Sequence, residues 1–241
     1  MNTREADQLG ERLATLIETG QLNEAYTLLS LVISSRTPFR LLDRIGTAIC
    51  AKPVPAVNAF LELIAADKYE GGWPVIGSAL KMQYARHPLD SFDRCRQYII
   101  QADVWYATDI LGERLSGPAL VADFAPALEL LAPWRADSDR WLRRTVGVAA
   151  YFWAKRSRGA PATRHQAEAL LAFLEPLFTE QNLDAVKGVG WGLKTLGRYY
   201  PDILTPWLRR QVTEHRGRFR ATMLRKALTY LPAEQRAQIQ S

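Results

Sequence analysis

The sequence predicts an all-α protein built as an α-solenoid of stacked antiparallel helix pairs. Almost every window of the 241 residues repeats its apolar positions with a period of about 3.6 residues, which is typical of helices with one buried face. Strand-like alternation between turn residues is not found in the sequence. Short helices joined by tight, proline-marked connections favour stacked pairs over a four-helix bundle, whose helices are fewer and longer. We expect a concave basic groove along such a solenoid.

The expected helices are separated by recurrent breakers. An aromatic residue followed by proline ends a helix at Tyr84 to Pro88, at Tyr199 to Pro201 and at Tyr230 to Pro232, and an acidic residue soon begins the next helix. Trp-Leu-Arg-Arg at 141–144 recurs at 207–210 without a clean period. In chain order, we expect helices near residues 3–19, 21–35, 38–50, 54–67, 74–86, 89–101, 103–115, 118–132, 137–157, 163–178, 182–199, 202–214 and 219–231.

The chain is expected to form one helical-repeat domain over residues 1–241. Its most flexible stretch, Ser157 to Thr163, is rich in small residues and proline but is typical of a loop between helices. A hydrophobic content of 48% is ample for a packed core.

Composition argues against several classes of protein. Cys50 and Cys95 lack metal-ligand or redox spacing, and the histidines lack zinc spacing, so we expect no disulfide framework and no metal. With no strand for a phosphate-loop or dinucleotide fingerprint to follow, we expect no cofactor. Met1 to Glu18 is charged, and no apolar run approaches the roughly 20 residues of a membrane span. We expect a cytoplasmic monomer without membrane contacts.

The positive charge is concentrated in the second half of the chain. Residues 1–120 hold 12 Lys/Arg and 14 Asp/Glu, whereas residues 121–241 hold 19 and 11. The excess lies mostly on arginine, which makes planar bidentate contacts to phosphate, so it indicates a phosphate-bearing partner, with solubility as the alternative. Two interpretations stay equally open for one basic cluster: a solvated surface, or contacts to a DNA backbone. The cluster consists of Arg216, Arg218, Arg220, Arg225 and Lys226.

Three expected helices carry polar or aromatic candidates away from their buried stripe. In 103–115 the stripe leaves Trp105 and Asp109 one turn apart on an adjoining face, flanked by Ala102 and Gly112. In 182–199 the outer face carries Lys187, Trp191, Lys194 and Arg198. In 137–158 Trp141, Thr145, Val148 and Phe152 face inward, and the outer face carries Arg140, Arg144, Tyr151, Lys155 and Arg158.

These segments resemble a known family. Trp105 and Asp109 in Trp-Tyr-Ala-Thr-Asp, Arg144 in Ser-Asp-Arg-Trp-Leu-Arg-Arg, and Trp191 in Lys-Gly-Val-Gly-Trp-Gly-Leu-Lys resemble, in order and separation, the HEAT-like-repeat alkylpurine DNA glycosylases of the AlkD type. The resemblance covers roughly residues 20–235. It implies a metal-free, monofunctional glycosylase that excises N3- and N7-alkylated purines from double-stranded DNA without swinging the base into a pocket.

Elementary chemistry agrees with the roles that the resemblance implies. Alkylation at either ring nitrogen makes the base cationic and a good leaving group, and cleavage of the glycosidic bond leaves oxocarbenium character on the sugar. Asp109 would stabilise that charge and orient water, while Trp105 and Trp191 hold the cationic nucleotide by cation–π contact. Arg144 would grip a phosphate. As supporting DNA contacts we expect Arg140, Arg143, Tyr151, Lys155, Lys187, Lys194 and Arg198.

Each of these residues also has a structural interpretation. A tryptophan in a helical protein usually belongs to the core, a helix carboxylate is usually solvated, and a basic ladder usually marks a solvated face. Two alternative functions therefore stay open: a non-catalytic protein of this fold that binds damaged or distorted DNA, and a helical-repeat scaffold whose tryptophans anchor a protein partner. The glycosylase hypothesis requires the two indoles, the carboxylate and the guanidinium to gather in one hollow.

Overall fold

The computed structural model describes residues 1–51 and 54–240 of the chain. All regular secondary structure in these residues is helical, so the all-α prediction is confirmed. The chain forms two compact units, Met1–Leu115 and Ser116–Ser241.

The helices of the first unit pack in two rows. Helices α1, α3, α5 and α7 contact one another in succession, and α2, α4 and α6 form the second row. The helices are α1 (Thr3–Glu18), α2 (Leu22–Ile33), α3 (Phe39–Ile49), α4 (Val54–Ala66), α5 (Gly72–Tyr84), α6 (Pro88–Ala102) and α7 (Trp105–Leu111).

The second unit repeats this alternation. Helices α8, α10, α12 and α14 contact one another in succession, as do α9, α11, α13 and α15. These pairings are those of an α-solenoid, as predicted; the concave basic groove stays a prediction. The helices are α8 (Gly117–Ala122), α9 (Phe124–Arg135), α10 (Arg140–Ser157), α11 (Arg164–Leu174), α12 (Leu183–Tyr199), α13 (Pro201–Glu214), α14 (Ala221–Ala227) and α15 (Ala233–Gln240).

Short tighter or wider turns extend several helices. A π-helical segment, Gly112–Ser116, follows α7, and 3-10 turns occur at Pro161–Thr163, Glu175–Thr179 and Leu228–Tyr230. The expected helix 219–231 is α-helical only over Ala221–Ala227 and continues as the 3-10 turn Leu228–Tyr230.

The sequence-based prediction misses one helix break and one whole helix. The expected helix 118–132 is two helices, broken at Asp123, where φ is −150°. The break places Pro126 in the first turn of α9, where a missing N–H is harmless, whereas in one long helix it would remove an interior hydrogen bond. Helix α15 was not predicted, because its sequence carries no apolar stripe beyond Ile239.

The single-domain prediction for residues 1–241 stays a prediction, as does the cytoplasmic monomer. Among the residues that the structure describes, no helix combines the length and the apolarity needed to cross a membrane.

Candidate active site

Trp105 is the first residue of α7 and lies exposed, as the periodicity predicts. Asp103 ends the preceding helix in the left-handed conformation, with φ at 50°, and Val104 is extended, so the chain turns immediately before the indole. The Trp105 side chain is 57% exposed, and its ring meets Tyr106 edge-on, with ring centroids 5.8 Å apart. An indole this exposed contributes little to the core.

Asp109 lies one helical turn after Trp105 and is half-buried. The residues on the opposite side of α7, Ala107 and Leu111, are fully buried. The carboxylate and the indole therefore share the accessible side of one short helix in the first unit.

In the second unit, glycines bring α10 and α12 into close contact. A methyl group on Gly147 would lie 2.3 Å from the carbonyl of Gly188, and one on Gly192 would lie 2.7 Å from the carbonyl of Gly147. Neither contact is sterically possible with a side chain, so both positions require glycine. The close packing of the two backbones fixes the positions of the side chains beside it.

Arg144 is buried, contrary to the outer face that the periodicity predicts. Its side chain is 7% exposed because its stem packs against Gly188, where a methyl group would lie 2.6 Å from Arg144 Cγ. The Arg144 Nη1 donates a hydrogen bond of 3.0 Å to the carbonyl of Asp184. The guanidinium is thus held in one position by α12.

The Asp184 carboxylate lies between two of the predicted DNA contacts. Arg140 Nε is 3.6 Å from one oxygen, and Lys187 Nζ is 3.8 Å from the other. The Arg140 guanidinium also lies over the Trp141 ring, 4.7 Å from its centroid. Candidates on α10 and α12 are therefore brought together around one acid.

Trp191 is half-buried and stacked on Tyr151. The two ring centroids are 3.8 Å apart and the ring planes differ by 20°, so one face of the indole is covered. Lys155 donates to the Tyr151 hydroxyl at 2.9 Å and lies 5.3 Å from the Tyr151 ring centroid. A ligand stacked on Trp191 would occupy its other face.

Lys194 and Arg198 converge on the ring of Tyr230, which the sequence pattern marks only as a helix end. The Lys194 ammonium is 4.8 Å and the Arg198 guanidinium 5.2 Å from the centroid of Tyr230. Tyr230 follows α14 in a 3-10 turn. Its role depends on a contact between α12 and a distant segment, which local periodicity does not reveal.

Arg143 is directed to a structural partner. It forms an ion pair with Glu180 and donates to the carbonyls of Asp137 and Ser138. Burial alone would raise the pKa of Glu180, but hydrogen bonds from Arg143 and the Asn182 backbone outweigh it and lower that pKa. The contact of Arg143 with DNA stays a prediction.

Lys226 on α14 packs against α12 at Gly190, near Lys187 and Lys194 of that helix. A methyl group on Gly190 would lie 2.7 Å from Lys226 Cδ and 3.0 Å from its Cβ, so glycine admits the lysine stem. Burial lowers the pKa of Lys226, and so do the charges of four nearby cations, Lys194, Arg144, Lys187 and Arg225. From the sequence alone, Lys226 is only one member of a basic cluster. The alternate glycines at 188, 190 and 192 were the available signal for its packing.

Trp105 and Asp109 belong to the first unit, and Arg144 and Trp191 to the second. Their convergence in one hollow stays a prediction. In the described part of the chain, no group of three or more His, Cys, Asp or Glu side chains is arranged to hold a metal ion.

A family model described as DNA alkylation repair enzyme matches residues 52–231. No curated protein and no solved structure matches the chain. The family match covers about three quarters of the 241 residues and includes every candidate residue discussed above. The chain therefore belongs to the DNA alkylation repair enzyme family.

Proposed function

We propose that the protein hydrolyses the N-glycosidic bond of cationic N3- or N7-alkylated purines in duplex DNA, without swinging the base into a pocket. Membership of the DNA alkylation repair enzyme family supports a role in DNA alkylation repair. The observation that carries the finer proposal is the pair on α7: a half-buried carboxylate, Asp109, one turn from an exposed indole, Trp105.

The proposed reaction needs electrostatic placement more than an unusual acid. When the bond between C1′ and the purine nitrogen breaks, the base takes the electron pair and leaves neutral, and positive charge develops on the sugar. Asp109 stabilises that charge and orients water, whose oxygen bonds to C1′ while its proton passes to the carboxylate or solvent. This division of labour explains why a carboxylate serves without a protonated general acid.

The aromatic residues act on the cationic nucleotide. Trp105 presents an accessible ring, and Trp191 presents the face that Tyr151 leaves open. Each cation–π contact is worth about 0.5–2 kcal/mol, depending on how far water is excluded. Two such contacts discriminate a charged alkylpurine from a neutral purine by roughly fivefold or more.

The basic residues of the second unit bind the DNA backbone. Arg144 is preorganised by its packing against Gly188 and its bond to the Asp184 carbonyl, so it loses little side-chain entropy when it grips a phosphate. Supporting phosphate contacts come from Arg140, Lys155, Lys187, Lys194 and Arg198. Tyr151 stacks on Trp191 and supports that indole instead of contacting DNA directly.

The decisive experiment measures release of N7-methylguanine and N3-methyladenine from methylated duplex DNA under single-turnover conditions. The Asp109→Asn variant should release these bases about 100-fold more slowly or worse, since a preorganised transition-state contact is lost, while it still binds DNA. Asp93→Asn on α6, an exposed carboxylate of the same unit, is the matched control and should match the unsubstituted protein.

Other outcomes identify the alternative functions. Salt-sensitive DNA binding without base release by the unsubstituted protein would indicate a non-catalytic damage-binding protein. No DNA affinity even at low salt would indicate a scaffold for a protein partner. Full activity in Asp109→Asn would overturn the catalytic assignment.

A further inference from the structure

Two lysines beside α12 carry charges that no ion pair compensates in the described part of the chain. Lys187 faces Asp184 at 3.8 Å, but within the described part of the chain neither Lys194 nor Lys226 forms an ion pair. Arg144 and Arg225 add their charges to the same surroundings. The charges of Lys194 and Lys226, which have no acid of their own among the described residues, raise the free energy of the unliganded protein by repelling each other.

The position of Lys226 is set by helix packing rather than by solvent. A lysine on a solvated face extends its ammonium away from neighbouring cations. Lys226 instead is half-buried, and its stem lies in the notch that Gly190 opens in α12, next in sequence to Trp191. This packing holds a cation where repulsion from its neighbours opposes it.

We propose that Lys226, together with Lys194, forms a phosphate-binding site between α12 and α14 that takes one phosphodiester of the DNA backbone. An anion there would remove the repulsion that the unliganded protein carries. The site adds a contact from α14 to those assigned to α10 and α12. It depends on the DNA binding of the proposed function, but not on base excision.

The test compares Lys226→Met, which keeps the stem and removes the charge, with Lys81→Met. Lys81 is exposed on α5, so both variants lose the same net charge. Binding of a fluorescein-labelled duplex is followed by anisotropy from 50 to 300 mM NaCl. In Lys226→Met we expect a dissociation constant about 3- to 10-fold higher at 50 mM salt and a salt slope shallower by about 0.9, the value for one lost phosphate contact. Lys81→Met should match the unsubstituted protein.

Two further variants separate charge from fold. Lys226→Arg keeps the charge and should restore most of the affinity. Gly190→Ala closes the notch and displaces the Lys226 stem, so it should weaken binding in the same direction as Lys226→Met. Thermal melting of each variant confirms that the fold persists.

The pH dependence supplies a second readout. The pKa of Lys226 is lowered in the free protein by burial and by its cationic neighbours, and a bound phosphate would raise it. The contribution of Lys226 to affinity is therefore full below the free pKa and is lost as pH rises through the bound pKa. Lys226→Met should lack this alkaline loss.

Each outcome decides between proposals. Equal salt slopes for Lys226→Met and Lys81→Met, with tight binding by the unsubstituted protein, would overturn the Lys226 site alone. Absence of DNA binding by the unsubstituted protein would overturn the site and the proposed function together. A reduced slope in a protein that releases no base would support the site and reject only the glycosylase.

Discussion

Tyr151 determines which face of Trp191 is available. Its ring lies 3.8 Å from the indole and its hydroxyl accepts a hydrogen bond from Lys155, so the three side chains form one unit across α10 and α12. An indole supported in this way keeps a single orientation when a ligand approaches. Tyr151 is therefore a positioning residue for Trp191.

Substitutions at Tyr151 should separate the ring from the hydroxyl. Tyr151→Ala removes the stacked ring, and since such pairs are worth about 0.5–1.5 kcal/mol, base release should slow by about 2- to 12-fold. Tyr151→Phe keeps the stack and should stay within about twofold of the unsubstituted protein. Single-turnover rates on methylated duplex DNA measure both. Equal losses in the two variants would assign the effect to the hydroxyl and Lys155 instead.

At the scale of elements, the pairing of α10 with α12 depends on glycine. Both helices begin with a side-chain cap: Asp139 accepts from the backbone of Trp141, and Asn182 from that of Asp184. Beyond the caps the two backbones meet at Gly147 and Gly188. The position of Arg144 follows from this contact, because its stem lies against Gly188.

Gly147→Ala should destabilise the protein by about 1–3 kcal/mol, the range for overpacking, because the added methyl group meets backbone atoms that cannot move alone. Urea denaturation measures the change. Gly190→Ala is the matched control: its methyl group meets the flexible Lys226 side chain, and alanine's better helix propensity, about 1 kcal/mol, offsets the displacement. If Gly147→Ala were as stable as the unsubstituted protein, α10 and α12 would be able to separate at no cost.

At the scale of the whole molecule, paired carboxylates set the response to acid. Hydrogen bonds from Arg44 and Arg164 lower the pKa of Asp7 and of Asp202, respectively, and the pKa of Glu180 is lowered although burial opposes it. A carboxylate whose folded pKa is lowered stabilises the protein above its unfolded pKa, about 4, and loses that contribution as pH falls through the folded value.

The melting temperature should therefore fall as the pH drops below about 4. Glu180→Gln removes one of the contributing groups, so its profile should be shallower over this range. Asp93 is exposed, so the melting profile of Asp93→Asn should run parallel to that of the unsubstituted protein. An unchanged profile in Glu180→Gln would mean that the pair with Arg143 contributes nothing to stability.

Local periodicity was sufficient to predict most of the helices and the exposure of Trp105. An apolar stripe is a property of one segment, so α7, α10 and α12 could be found from their own residues. The burial of Arg144 could not, because it depends on Gly188, forty-four residues later in the chain. The same limit applies to Tyr151 with Trp191 and to Lys226 with Gly190, where partners on separate helices meet only in the fold. The break at Asp123 was within reach, because Pro126 argues against one continuous helix.

The alternate glycines of α12 also restrict how this protein can diverge. Positions 188 and 192 face α10, and position 190 faces α14, so a Cβ at any of the three would come within 2.7 Å of a neighbouring atom. Within Lys187–Lys194, Val189 and Leu193 are fully buried, which leaves 187, 191 and 194 as the positions open to a change of chemistry. A library that aims to alter ligand preference can therefore randomise those three codons and leave the intervening ones untouched.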